Sequence, residues 1–187
     1  RDFRKLGRPR LFFGISPGCM DSMVNKYTAA RRLRSEDAYS PDGRHDLRPE
    51  YPTIVYTNIL RQLFPDVPIV LGGIEASLRR VMHYDYWQER FRPSILCDCD
   101  ADLITYGMGE KPTLELVRLL TDAIDQSHPL LHYDEKGEAC ITRQLLREVG
   151  IANLKQTVTL WQKEEIPGGI NNDDIVLHSY EECLKQP

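Results

Sequence analysis

The chain has 187 residues, 41% of them hydrophobic, and a formal net charge of −4. That is enough apolar material for one core, and the acidic balance excludes general attraction to polyanions such as nucleic acid or anionic lipid. No apolar run approaches the roughly 20 residues of a bilayer-crossing helix, no apolar signal core follows Arg1-Asp-Phe-Arg-Lys5, and the five cysteines are odd in number and scattered, which predicts a cytoplasmic protein with free thiols and no membrane partner.

Leu11 to Ser16 reads as a strand closed by Pro17-Gly18, followed by a helical stretch around Met20 to Arg34. Ser35 to Pro49 is polar, with Pro41-Asp-Gly43 as a turn signal, and reads as a surface loop. From Glu50, Ile54, Val55, Ile59, Leu60, Leu63 and Phe64 recur at helical spacing, with Pro52 in the first turn. The run Pro68-Ile-Val-Leu-Gly-Gly73 reads as a strand buried on both faces and closed by glycine, followed by a helix from Ile74 to about Arg80. Arg92 to Cys99 reads as a short strand, Asp98 and Asp100 mark a turn, and Asp102 to Tyr106 is a second buried strand. It ends in Gly107-Met-Gly-Glu110. Thr113 to Ile124 is an amphipathic helix with Leu114, Val117, Leu120 and Ile124 on one face. Beyond His128 the pattern loosens, with Thr157 to Leu160 as a short strand and Pro167-Gly-Gly169 as a loop.

Strands alternating with helices predict right-handed crossovers and a doubly wound, mainly parallel α/β sheet of Rossmann type. In such sheets ligands bind where strand carboxyl ends meet helix amino ends, so the glycine turns point to a cofactor platform. Glycine permits close backbone approach, although βα turns need glycine for conformational reasons alone. Glu110 stands in the first turn of a helix, where the dipole favours a carboxylate, and serves there either as a helix-start residue or as an acceptor for ligand groups. Glu75, Arg79 and Arg80 lie behind Gly73. His83-Tyr-Asp-Tyr-Trp87 suits proton transfer, stacking on a flat ligand or docking of another domain. Cys97-Asp-Cys99 lacks the further ligands of a metal site, and no P-loop, H-E-x-x-H, G-x-S-x-G or complete G-x-G-x-x-G occurs.

Gly7-Arg-Pro-Arg-Leu-Phe-Phe-Gly-Ile-Ser16, Met20-Asp-Ser-Met-Val-Asn-Lys-Tyr-Thr28, Leu71-Gly-Gly-Ile-Glu-Ala-Ser-Leu-Arg-Arg80, His83 to Trp87 and Leu177-His-Ser-Tyr-Glu-Glu182 together resemble the YgiQ family of uncharacterised radical S-adenosylmethionine proteins. The Gly-Gly turn and the later Gly-x-Gly-Glu are also similar to the cobalamin-binding-like domain ahead of many radical enzyme cores. The resemblance implies a 4Fe-4S cluster and S-adenosylmethionine in the parent protein, with cobalamin as a further candidate. The cluster triplet C-x-x-x-C-x-x-C does not occur here, nor does the Asp-x-His-x-x-Gly loop of base-off cobalamin modules.

The resulting expectation is a cobalamin-binding-like α/β domain over residues 1–128, its sheet incomplete at the N-terminus, and an extension or linker over residues 129–187 leading towards a radical S-adenosylmethionine barrel outside this chain. The chain, which starts without methionine and ends at Lys185-Gln-Pro187, reads as a piece of that longer protein. Its task is to position a cofactor or an unknown substrate against the barrel. The cofactor-binding residues are Ser16, Pro17, Gly18, Gly72, Gly73, Ile74, Glu75, Gly107, Gly109 and Glu110, with no catalytic and no metal-ligating residue. The alternative is a docking module without a small-molecule ligand. Nucleic-acid binding through Arg31, Arg32, Arg34, Arg44 and Arg48 carries less weight, because basic loops are commonly just solvated.

Overall fold

A computed structural model describes residues 2–185; Arg1 and the final Gln186-Pro187 of the expected C-terminal end lie outside the described residues. Its strands are β1 (Phe13–Ile15), β2 (Ile69–Leu71), β3 (His83–Asp85), β4 (Arg90–Arg92), β5 (Leu103–Thr105), β6 (His132–Tyr133), β7 (Ala139–Cys140) and β8 (Thr157–Val158). The helices are α1 (Ser22–Lys26), α2 (Pro52–Leu63), α3 (Gly73–Leu78), α4 (Ile95–Asp98), α5 (Glu110–Asp125), α6 (Arg143–Glu148) and α7 (Tyr180–Lys185).

The main sheet has the order β1-β2-β5-β8. β1, β2 and β5 are parallel, in register Ile15 with Leu71 and Leu71 with Ile104, and β8 runs antiparallel to β5. All three residues of β2 and of β5 are buried, as expected of central strands covered on both faces; Thr105 alone among them is polar. Successive side chains point to opposite faces. Ile69, Leu71 and Ile104 enter one core with Leu60 of α2, Ala76 of α3 and Ile95 and Leu96 of α4. Val70 and Leu103 enter the other, with Leu116 and Leu120 of α5 and Leu145 and Leu146 of α6. Helices on both faces of a mostly parallel sheet make this a doubly wound, Rossmann-like α/β fold.

Local chemistry sets the helix limits. Asp21 caps α1 by accepting from the N–H groups of Met23 and Val24 at 3.0 and 3.3 Å, and Thr142 caps α6 by accepting from Leu145 N–H at 3.1 Å. The stretch expected as a helix from Met20 to Arg34 is helical only from Ser22 to Lys26. After that, Tyr27 bridges Leu33 and Arg31 turns through φ +58°. Ser94 caps α4, so the strand expected over Arg92 to Cys99 is instead the end of β4 and a helical turn. His83 to Trp87 opens an antiparallel hairpin, β3 paired with β4.

Residues past His128, read from the sequence as an extension, contribute β8 to the sheet and Ile141, Leu145, Leu146 and Ile151 to the second core. A polar clamp ties them in at the amino end of β5. Asp102 accepts from Ile69 N–H and from Arg61 at 2.8 Å each, and from Arg143 of α6 at 2.5 Å. The arrangement satisfies a buried carboxylate that would otherwise cost several kcal/mol. No helix among the described residues is long and apolar enough to cross a membrane.

Candidate functional site

Because β1, β2 and β5 are parallel and in register, their carboxyl ends share one rim, where Ser16, Gly72 and Tyr106 emerge. Gly72 N–H donates to the Ile15 carbonyl at 2.9 Å. Gly73 follows at φ +79°, and a Cβ there would lie 2.7 Å from Ser16 Oγ and 3.3 Å from the Gly18 carbonyl. The first two loops therefore touch at backbone distance, which only glycine allows. Thr105 joins the third loop to them. Its hydroxyl donates to the Leu71 carbonyl at 3.4 Å, and Cβ atoms at Gly72 or Gly109 would meet it at 3.5 and 3.6 Å. Gly107 turns at φ +69° beside Gln156, whose carbonyl accepts from Tyr106 N–H at 3.1 Å.

Of the residues selected from the sequence, Ser16, Pro17, Gly18, Gly72, Gly73, Ile74, Gly107, Gly109 and Glu110 lie on this solvent-accessible rim. Glu75 does not. It is fully buried, and its carboxylate accepts from the backbone N–H groups of Ser22 at 3.1 Å and Thr53 at 3.3 Å, pinning the starts of α1 and α2. Behind it the buried Arg79 guanidinium pairs with Asp21 and lies 5.4 Å above the Tyr51 ring.

The His83 to Trp87 segment is occupied by its own structure. Asp85 accepts from Tyr51 Oη at 2.8 Å and from Trp87 and Gln88 N–H at 2.9 and 3.0 Å. Burial pushes the Tyr51 hydroxyl pKa up, reinforced by Asp85. Burial likewise lowers the pKa of His83, whose Nδ1 sits 3.2 Å from the Val81 carbonyl. Asp85 is therefore a turn-capping carboxylate and His83 a neutral ring at physiological pH.

Sequence reasoning missed the apolar fringe of the rim. Met108 is 74% exposed, and Met20, Ile74, Leu78 and Leu114, each close to one of the three loops or on the helix that follows, are exposed as well. Large apolar side chains placed next to glycine turns were the available signal. Fringes of this kind mark interaction surfaces.

The family model described as Radical SAM N-terminal matches residues 1–187. The chain belongs to this Radical SAM N-terminal family. Among its relatives, a UPF0313 protein of Bacteroides thetaiotaomicron is 56% identical over 184 residues, covering 98% of this chain and 28% of that protein. A UPF0313 protein of Porphyromonas gingivalis is 71% identical over 120 residues, covering 64% of this chain and 19% of that protein. One of Geobacter sulfurreducens is 60% identical over 116 residues, covering 62% of this chain and 19% of that protein. The chain thus spans little more than a quarter of the Bacteroides relative's length. No solved structure matches it.

The family name raises the question of an iron–sulfur cluster, and the residues here do not fit one. Cys99 and Cys140 are buried, Cys19 and Cys97 are exposed, and among the described residues no three His, Cys, Asp or Glu side chains are grouped to hold a metal ion. Burial pushes the Cys99 thiol up to about 11, away from the thiolate that metal ligation needs.

Proposed function

We propose that this Radical SAM N-terminal domain is the platform of a radical S-adenosylmethionine enzyme whose 4Fe-4S cluster and S-adenosylmethionine are held elsewhere in the longer polypeptide. The domain turns its glycine rim towards that catalytic domain and positions a cofactor or substrate between them. Backbone groups of Gly72, Gly73, Gly107 and Gly109 face the bound molecule, Ser16, Pro17 and Gly18 wall it, and Glu110 orients it. The observation that carries this reading is the convergence of three glycine-bearing loops on one sheet rim fringed by exposed Ile74, Leu78 and Met108.

A reading with no small molecule is favoured by one feature of the same rim: the space at Gly73 is taken by Ser16 and Gly18. Both readings bury the rim. The test uses the full-length protein and an Ile74→Asp/Met108→Asp double variant, with alkylation of the exposed Cys19, next to Gly18, as reporter. Cys19 should react slowly in the wild type and at least about tenfold faster in the variant. Equal, fast labelling in both would remove the docked platform. Titration of the wild type with cobalamin, followed by absorbance, then separates a cofactor platform from a docking face without ligand.

A further inference from the structure

The outer edge of β1 is unpaired among the described residues. Phe13 N–H donates to the Pro68 carbonyl and the Ile15 carbonyl accepts from Gly72 N–H, both on the β2 side. Backbone groups alternate along a strand, so the N–H and C=O of Gly14 point to the opposite, open edge. Gly14 is exposed, and a Cβ added there would meet nothing within 4 Å. Soluble proteins blunt such edges with charge, proline or a cover, yet Phe13-Gly-Ile15 carries none of these. Beside the edge lies an open groove of about 270 Å³ lined by Phe3, Leu6, Phe13, Tyr56 and Leu60 among others. Leu6 on its wall is 97% exposed.

We propose that this edge and groove receive an extended segment of the same polypeptide, from the part preceding Arg1, which adds a strand to β1 and lays its apolar side chains into the groove. Two observations select this occupant. The chain spans only 28% of its Bacteroides relative, so ample polypeptide lies outside it. Asp2 and Phe3 already line the groove, with the Phe3 ring 5.6 Å from that of Tyr56. Residues joined ahead of them start beside β1, whereas the other end of the described chain lies by the β3–β4 hairpin, where Tyr180 Oη donates to the Phe91 carbonyl at 3.1 Å.

Amide exchange in the full-length protein reads the outward hydrogen bond directly. The Gly14 amide should exchange about 100-fold or more below its intrinsic rate, and stay so on dilution. Exchange at the intrinsic rate, with Phe13 and Ile15 still protected, would overturn the proposal. Protection lost on dilution would overturn it too, by assigning the edge to a second copy. A photo-crosslinker attached to Leu6→Cys in the full-length protein identifies the occupant. Cross-links to residues ahead of Arg1 in the same chain support the proposal, and cross-links only to another chain, or to residues beyond Pro187, refute it.

Discussion

Arg79 and Asp21 form an ion pair shut inside the protein, with each residue more than nine-tenths buried. Asp21 also caps α1. Its replacement would strand a buried guanidinium and free two helix N–H groups at once. Asp21→Ala should cost about 3–5 kcal/mol, the range for breaking a buried pair by removing one partner. Chemical denaturation of the full-length protein, followed through this domain's transition, measures the loss. A cost below about 1 kcal/mol would mean that water reaches the pair.

Gly73 and Gly137 share a left-handed backbone, at φ +79° and +77°, but differ in surroundings. Gly73 faces Ser16 and Gly18, whereas a Cβ at Gly137 would meet open space. Both alanine variants should lose the roughly 1–2 kcal/mol that an L residue pays in that conformation. Gly73→Ala should lose more, because its Cβ also displaces Ser16, and a lower melting temperature for it than for Gly137→Ala is the expected readout.

Asp37 makes the folded state acid-sensitive. Burial raises its pKa, but hydrogen bonds from Tyr39 N–H, Asn25, Ser40 and Arg48 outweigh burial and hold it down to about 2, against an ordinary 3.8. A depressed folded pKa stabilises above the unfolded value. That contribution is present above pH 3.8 and fades as pH falls through this value towards about 2. Asp37→Asn should be less stable at neutral pH and should lose stability less steeply over that window, as urea midpoints at successive pH values would reveal.

Cys99 acts at the alkaline end. Burial raises its thiol from 9.0 to about 11, so between these values the unfolded chain releases a proton that the folded chain keeps. Stability should therefore fall as pH rises from 9 to about 11, and Cys99→Ala should flatten that decline. Alkylation of Cys99 at neutral pH should occur only at the rate of unfolding.

The sheet was legible because its signals are local and strong. Short β-branched runs at Ile69 to Leu71 and Leu103 to Thr105, each closed by glycine, need no alternation when both faces are covered. α2 and α5 were legible as helices from their apolar spacing, but the inner face of α5 is turned from the expected one: Leu114 is exposed and Leu116 is buried with Leu120. Arg92 to Cys99 misled because a four-residue helix is too short to show a period, and the capping Ser94 was the better signal. The hairpin of β3 and β4 was hidden because its alternating residues are largely polar or aromatic. Glu75 was placed at the rim because it follows Gly73 by two residues. Its inward turn depends on N–H groups of Ser22 and Thr53, 53 and 22 positions away, which no local pattern encodes.

The contribution of α6 and β8 to the sheet's second face limits how the polypeptide can be divided. A protein stopped after His128 would uncover Val70, Leu103, Leu116 and Leu120, all buried here, and would bare the flank of β5. Such a truncated chain should collect into insoluble aggregates, because the first hundred or so residues hold the glycine loops without the backing that keeps them folded.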